Sequence, residues 1–228
     1  MNTVNYKFNT LQHLLKSGNK LLAVMLLLCF FTLASAQFRN DTTTSNVIQN
    51  LMNSSAEWGD LNNDNLQDLV VIGQGTNATQ TIVTKIYRGV QIAGGSLLEA
   101  VPVSLPNVTN GDISLVDCNN DGLLDIFITG TQDSNRGALS KLFINKFSQF
   151  GDWSFEEIPT SFVKVSMSDC DWGDVDNDGI QELLLTGLGT DSMPHTVLYK
   201  NVSQNSNILD FQPLQNVVLP QIYNGSVS

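Results

Sequence analysis

Basic residues are scarce in this sequence, and their scarcity argues against one large class of partners. The 228 residues include 11 Lys and Arg but 22 Asp and Glu, which gives a formal net charge of −11. Only 8 of those 11 lie after residue 36, whereas all 22 acids do, so residues 37–228 carry a net charge of −14. Contact with nucleic-acid phosphates requires clustered Lys and Arg. The composition therefore predicts no nucleic-acid partner and suits divalent cations.

Histidine and cysteine are also rare, so few residues could act in catalysis or form disulfide bonds. His195 is the only histidine after residue 36, and no serine or cysteine nucleophile motif accompanies it. We therefore predict no catalytic residue and no enzyme, with a glycosidase-like pair of carboxylates as the open alternative. Cys118 and Cys170 are the only cysteines in that region. An oxidising compartment could pair them, and two separate thiols are the alternative.

Long apolar runs are lacking except near the start of the chain. Three lysines precede an apolar run from Leu21 to Leu33, which ends in Ala34-Ser35-Ala36. The run is shorter than the roughly 20 residues of a membrane-spanning helix. The pattern favours a secretory signal peptide over residues 1–36, cleaved after Ala36, rather than a membrane anchor. We therefore expect a secreted glycoprotein, with Asn-x-Ser/Thr sequons at Asn40, Asn53, Asn77, Asn107, Asn201 and Asn224.

The rest of the chain contains an internal repeat. Three acidic loops, at residues 60–68, 117–125 and 174–182, align without gaps, and their first acids are 57 residues apart. The period continues outside the loops, because aromatic residues recur 56 residues apart at Tyr87, Phe143 and Tyr199. Self-similarity at a fixed period is typical of repeat architectures. We assign residues 57–228 to the repeats, and residues 37–56 to an N-terminal segment or a first strand.

Each repeat is predicted to hold four short strands and no amphipathic helix. The runs after the loops are apolar on successive residues, which is typical of strands covered on both faces. These runs are Leu69–Ile72, Ile126–Thr129 and Leu183–Thr186. Four strands in each unit favour an all-β fold built of β-propeller blades. A stacked β-solenoid is the alternative, but its rungs are usually shorter.

The loops carry oxygen ligands at alternate positions. Acids or amides occupy positions 1, 3, 5 and 9, and position 7 could add its backbone carbonyl. Position 6 must turn sharply with positive φ, and it is Asn65, Gly122 or Gly179. Calcium takes six to eight oxygen ligands, so each loop is predicted to bind one calcium ion, about three in all. The predicted ligands are Asp60, Asn62, Asp64, Leu66, Asp68, Asp117, Asn119, Asp121, Leu123, Asp125, Asp174, Asp176, Asp178, Ile180 and Glu182.

Other ions fit these loops less well. An EF-hand ends in a glutamate at position 12, magnesium dehydrates reluctantly, and zinc would require Cys or His ligands. Turns with solvated carboxylates are the metal-free alternative, which does not explain three loops of one pattern. The third loop has four carboxylates and is predicted to bind most tightly, unless the longer Glu182 spoils its geometry. The first loop is predicted to bind least tightly.

The pattern D-x-[DN]-x-D-G-x-x-D, followed by an apolar strand and a glycine, resembles the FG-GAP/VCBS repeat. The resemblance covers about Glu57 to Ser228. It implies β-propeller blades like those of integrin alpha chains and of many secreted proteins, and it implies calcium at the loop positions named above. The Phe-Gly and Gly-Ala-Pro signatures of integrin blades are not evident, so the resemblance favours the VCBS side of the family over integrin-type ligand binding.

The repeat count predicts an incomplete propeller of about three to four blades. Propellers close with about four to eight blades. We expect that the chain is a piece of a longer protein. One alternative is that several copies assemble through their open sheet edges. Another is that residues before Trp58 complete the array.

The expected function is an extracellular binding or adhesion module for a protein or a glycan. The alternatives are the non-catalytic part of a larger secreted hydrolase or lyase, and a purely structural surface protein. Trp58 and Trp172 precede two loops at the same distance. We expect both to pack in the core rather than stack on a sugar.

Overall fold

The chain folds into a series of similar antiparallel sheets. A computed structural model describes residues 48–93, 95–132, 137–148, 150–203 and 208–227. The predicted signal peptide, Cys29, the sequon at Asn40 and residues 37–47 lie outside the described residues. The described residues contain no helix, and so none that could cross a membrane.

The described residues contain twelve strands, which form three four-stranded sheets that we call blades 1, 2 and 3. In each blade the strands follow one another in chain order, and neighbours pair antiparallel. Blade 1 holds β1 (Leu51–Gly59), β2 (Asp68–Gly75), β3 (Ile82–Ile92) and β4 (Gly95–Val101). Blade 2 holds β5 (Ile113–Val116), β6 (Asp125–Thr131), β7 (Ala138–Asn145) and β8 (Phe155–Ile158). Blade 3 holds β9 (Val165–Gly173), β10 (Glu182–Gly189), β11 (Pro194–Asn201) and β12 (Phe211–Pro213).

This architecture confirms the predicted all-β fold of four-stranded propeller blades. It also explains why the runs after the loops are apolar at successive residues. Successive strand residues point to opposite faces of a sheet. On β6, Ile126 and Ile128 pack into the core shared with blade 1, whereas Phe127 packs into the core shared with blade 3. A middle blade therefore needs apolar side chains on both of its faces.

A ladder of backbone hydrogen bonds joins the blades near the start of each first strand. The N–H of Asn110 donates to the carbonyl of Asn53 at 3.0 Å, and the N–H of Met167 donates to the carbonyl of Asn110 at 2.6 Å. Asn224 continues the ladder by donating to Met167 at 2.7 Å. Each of these four residues lies 57 positions after the one before it, and all four have positive φ, between 46° and 53°. Three of the four are asparagine, the non-glycine residue that best tolerates this conformation.

Buried asparagine side chains form a second set of bonds between blades. Asn145, at the end of β7, donates from Nδ2 to the carbonyl of Leu61 in the loop of blade 1, at 2.7 Å. Asn201, at the end of β11, donates in the same way to the carbonyl of Cys118 in the loop of blade 2, at 3.1 Å. Asn201 is almost fully buried. Its side chain is therefore inaccessible to a glycan in the folded chain, and it is the least suited to glycosylation among the sequon asparagines that the structure describes.

The two described cysteines do not form a disulfide. Both are free and buried, and each thiol lies near a carboxylate. Cys118 Sγ donates to Asp125 at 3.0 Å, and Cys170 Sγ donates to Asp112 at 3.3 Å. Burial raises the pKa of both thiols well above its usual range, which keeps them protonated and able to donate. The alternative of two separate thiols is therefore the one that the structure supports.

Asp112 is a partly buried acid at the junction of all three blades. Its Oδ1 accepts a hydrogen bond from Ser55 Oγ at 2.7 Å, and its Oδ2 accepts one from the N–H of Cys170 at 3.2 Å. Burial raises the pKa of Asp112 to about 6, although the bond from Ser55 opposes the shift and nearby Asp169 adds to it. The folded protein therefore holds this proton more tightly than the unfolded chain does.

Replacement of Asp112 by asparagine should change how stability depends on pH. The raised pKa means that Asp112 stabilises the fold fully below about pH 4, and that this contribution is lost as pH rises through about 6. Asp112→Asn keeps a neutral side chain of similar shape, and the Ser55 hydroxyl can turn to accept from its amide. Relative to wild type, the variant should become more stable as pH rises from 4 to 7, as measured by urea unfolding at each pH. A constant difference across that range would contradict the assignment, and exposed Asp152→Asn serves as the control.

Candidate metal centre

Each acidic loop closes the first hairpin of its blade. The loop begins just after the first strand, and its position-9 acid opens the second strand. These strand ends are paired in register, Gly59 with Asp68, Val116 with Asp125, and Gly173 with Glu182. The hairpin therefore brings the first and last predicted ligands of each loop close together.

The first acid of each loop organises the turn that follows it. Asp117 Oδ1 accepts from the N–H of Asp121 at 3.0 Å, and its Oδ2 accepts from the N–H of Gly122 at 2.9 Å. Asp121 Oδ1 then accepts from the N–H of Leu123 at 3.0 Å. The other two loops repeat all three bonds with the equivalent residues. The turn thus points the carboxylates of positions 1 and 5 inward, toward its own backbone.

Two positions of each loop adopt the left-handed backbone conformation. At position 6, Asn65, Gly122 and Gly179 have φ of 66°, 87° and 85°, which confirms the predicted sharp turn. Position 4 also has positive φ, 57°, 55° and 60°, and it is asparagine in all three loops. The asparagine repeated at position 4 of all three loops is the sequence signal for this second turn position.

The position-9 acids of the first two loops tie the loop to the third strand of the blade. Asp68 is fully buried, and its two oxygens accept from the N–H groups of Leu61 and Gly89 at 2.9 and 2.8 Å. Asp125 is equally buried and accepts from the N–H groups of Cys118 and Asn145 at 3.2 and 2.9 Å. Burial raises the pKa of both acids, for Asp125 to about 6.

The third loop differs at position 9, where Glu182 replaces aspartate. Its Oε2 accepts from the N–H of Val175 at 3.1 Å, but its Oε1 is buried without any hydrogen-bond partner. Oxygens of Asp174, Asp176 and Glu182 all lie within 4.8 Å of one another. In the described part of the chain, this is the one group of three or more acidic, histidine or cysteine side chains that approach so closely. A buried, unpaired oxygen beside two further carboxylates fits a hard cation well.

The side chain at position 3 has a different partner in the third loop than in the first two. Asn62 Nδ2 donates to Asp64 Oδ2 at 3.0 Å, and Asn119 Nδ2 donates to Asp121 Oδ2 at 2.9 Å. In the third loop, position 3 is Asp176, which forms an ion pair with Lys200 from β11. The hydrogen bond from Lys200 lowers the pKa of Asp176 below its usual range.

Neighbouring loops are joined by side chains that the sequence analysis did not single out. Asn63 Nδ2 donates to the carbonyl of Gly122 at 2.9 Å, and Asn120 Nδ2 donates to the carbonyl of Gly179 at 3.4 Å. The position-4 asparagines of the first two loops thus reach the position-6 residue of the next loop. Together with the bonds from Asn145 and Asn201, these contacts couple the first two loops to the blade that follows each of them.

Apolar residues near the loops differ in burial from blade to blade, and the expectation that both tryptophans pack in the core is confirmed for Trp172 but wrong for Trp58. Position 2 is buried in Leu61 and Cys118, which pack in the cores shared with blades 2 and 3 respectively, whereas Val175 is 57% exposed and joins no core cluster of the described residues. Trp172 packs edge-on against Phe127, as expected for a core residue. Trp58, in contrast, is 55% exposed.

His195 makes only a local contact. Its Nε2 lies 3.0 Å from both carboxylate oxygens of Asp191, across the turn between β10 and β11. Within the described ranges, no serine or cysteine side chain is hydrogen-bonded to it. The contact therefore adds no support for a catalytic role.

The family comparison identifies the same three loops. A family model described as an FG-GAP-like repeat matches residues 60–128 and again residues 117–185, so the matches begin at Asp60 and Asp117, the first acids of two loops. No curated protein matches the chain. The two family matches together span more than half of the chain and include all three loops. The protein therefore belongs to the FG-GAP-like repeat family and is a β-propeller-type repeat module.

Proposed function

We propose that this chain is a secreted binding or adhesion module whose three loops each bind a calcium ion. The observation that carries the metal part is the arrangement in the third loop, where the buried Glu182 Oε1 lacks a partner beside Asp174 and Asp176. A buried carboxylate oxygen without a hydrogen bond is costly, because it has lost its water and gained nothing in return. A cation in the loop would supply the missing interaction.

The donor chemistry favours calcium among the common cations. The positions are carboxylate, amide and carbonyl oxygens, the ligands that calcium takes in flexible sites. Zinc would favour the thiol or imidazole groups that these positions lack. The residues that would hold the ion are those predicted from the sequence at positions 1, 3, 5, 7 and 9. A bound ion would supply positive charge that holds these oxygens together.

The raised pKa values of Asp68 and Asp125, the position-9 acids of the first two loops, support the same proposal. Asp125 is buried where a charge is unfavourable, and its pKa rises to about 6. A divalent cation nearby reverses this preference by stabilising the carboxylate. Calcium binding would therefore stabilise the loop and, through Asn145, the third strand of the blade.

The module is suited to presenting loops from a rigid scaffold. The hydrogen bonds of Asn63, Asn120, Asn145 and Asn201 run from blade to blade and leave the loops fixed relative to one another. Loops on such a scaffold commonly carry binding function. We propose a protein or a glycan on the surface of another cell or in the surrounding matrix as the partner, with secretion directed by residues 1–36.

Calcium should stabilise the protein, and the effect should depend on the loop carboxylates. A ligand at about 100 times its Kd stabilises by about 2.7 kcal/mol, which raises Tm by about 5 °C or more for a chain of this size. We expect 10 mM calcium to raise Tm over a chelator control, and Asp121→Ala to remove about a third of that rise. Asp152→Ala is the matched control, because Asp152 is an exposed acid outside the loops. Equal melting temperatures with calcium and with chelator would contradict the metal proposal.

Adhesion should be saturable and dependent on calcium. The purified chain from residue 37 onward, labelled with a fluorophore, should bind to host or neighbouring cells with a plateau, and a chelator should release it. Treatment of the cells with protease or with glycosidases then separates a protein partner from a glycan. Binding that rises linearly without a plateau, or that does not depend on calcium, would contradict the adhesion proposal but not the metal proposal.

A further inference from the structure

The third loop carries one carboxylate more than the other two. Loops 1 and 2 contain three acids each, whereas loop 3 contains four. The additional acid is Asp176, at the position where the other loops have Asn62 and Asn119. The difference therefore concerns a single position of the repeat.

The substitution removes a hydrogen bond that the other loops possess. An asparagine at position 3 donates from its amide to the position-5 carboxylate, as the bonds from Asn62 and Asn119 show. An ionised aspartate has no hydrogen to donate. Asp176 beside Asp178 would therefore replace an attraction by a repulsion between two like charges.

Lys200 supplies the donor group that Asp176 lacks. Its Nζ donates to Asp176 Oδ2 and lies 3.5 Å from Asp178 Oδ2, so it approaches the same position-5 oxygen that the asparagine amides reach in the other loops. Its charge also returns the third loop to the net charge of −3 that the other loops have.

The lysine is specific to the third blade. By strand register, Arg88 and Ile144 occupy the equivalent positions of blades 1 and 2, opposite Glu99 and Glu156. Arg88 forms its ion pair with Glu99, on the neighbouring strand and outside the loop. Ile144 is buried in the core between blades 2 and 3. Neither side chain reaches a loop in the manner of Lys200.

We propose that Lys200 is a resident cation of the third loop, which pairs with Asp176 and Asp178 in the calcium-free protein and must leave them when calcium binds. This inference rests on the proposed binding of calcium. An ammonium and a calcium ion cannot share the same carboxylate oxygens without strong repulsion. Lys200 therefore stabilises the calcium-free loop and lowers its calcium affinity. The third loop then binds less tightly than its four carboxylates alone would indicate.

The test replaces Lys200 by methionine, which keeps the length of the side chain and removes its charge. Calcium is titrated into the ¹⁵N-labelled full chain, and the backbone amide signals of Gly179 and Gly122 report the third and second loops separately. In Lys200→Met, the midpoint for Gly179 should fall to about one tenth of the wild-type calcium concentration. The midpoint for Gly122 should not move. The calcium-free variant should also melt at a lower temperature than wild type.

Two further variants isolate the cause. Arg88→Met removes the charge at the equivalent position of blade 1, and it should leave the Gly179 midpoint unchanged. Asp176→Asn restores the asparagine of the other loops, and in that background Lys200→Met should shift the Gly179 midpoint by less than about threefold. If Lys200→Met does not fold, Lys200→Gln provides the same comparison.

The outcomes separate this inference from the proposed function. If Gly122 and Gly179 both respond to calcium but Lys200→Met leaves the Gly179 midpoint unchanged or raises it, Lys200 does not compete and the inference alone is overturned. If only Gly122 responds in both proteins, the third loop binds no calcium, and the inference fails together with the third-loop part of the proposed function. If neither glycine responds in wild type, calcium binding fails and the inference fails with it.

Discussion

The concentration of acids along three short loops is the constraint on which the rest of the structure depends, and in the third loop oxygens of three of them lie within 4.8 Å of one another. Ten of the 22 acids occupy these loops, and acids so close together repel unless something compensates them. The fold compensates in part with backbone N–H groups, as where Asp117 accepts two of them. Glu182 Oε1 receives no hydrogen bond from the backbone or from any other group. A cation in each loop would complete the compensation.

The loops are also the joints between blades. Each loop closes the first hairpin of its own blade, and Asp68 or Asp125 ties it to the third strand. The next blade then contacts the loop through Asn145 or Asn201, whose amides bond to position-2 carbonyls. A change in the loop therefore has a direct route to the neighbouring blade. Binding of an ion would stabilise the inter-blade contacts as well as the turn.

Much of this arrangement could be predicted from the sequence, because the repeat exposes it three times. The alternation of Asp60, Asn62 and Asp64 indicated a tight turn, and Gly122 and Gly179 indicated where it reverses. The contacts between blades could not be predicted in this way, because Asn145 and Asn201 act across more than 80 residues. The exposure of Trp58 and Val175 depends on which blade lies beside each, and Lys200 lies outside the loop pattern altogether.

The central claim is that each loop holds one calcium ion, and anomalous diffraction from crystals grown with calcium tests it most directly. The account predicts three anomalous peaks per chain, each surrounded by oxygens of the loops that begin at Asp60, Asp117 and Asp174. Calcium–oxygen distances should be about 2.3–2.6 Å. Loops without any peak at saturating calcium, with carboxylates paired only to backbone and water, would contradict it.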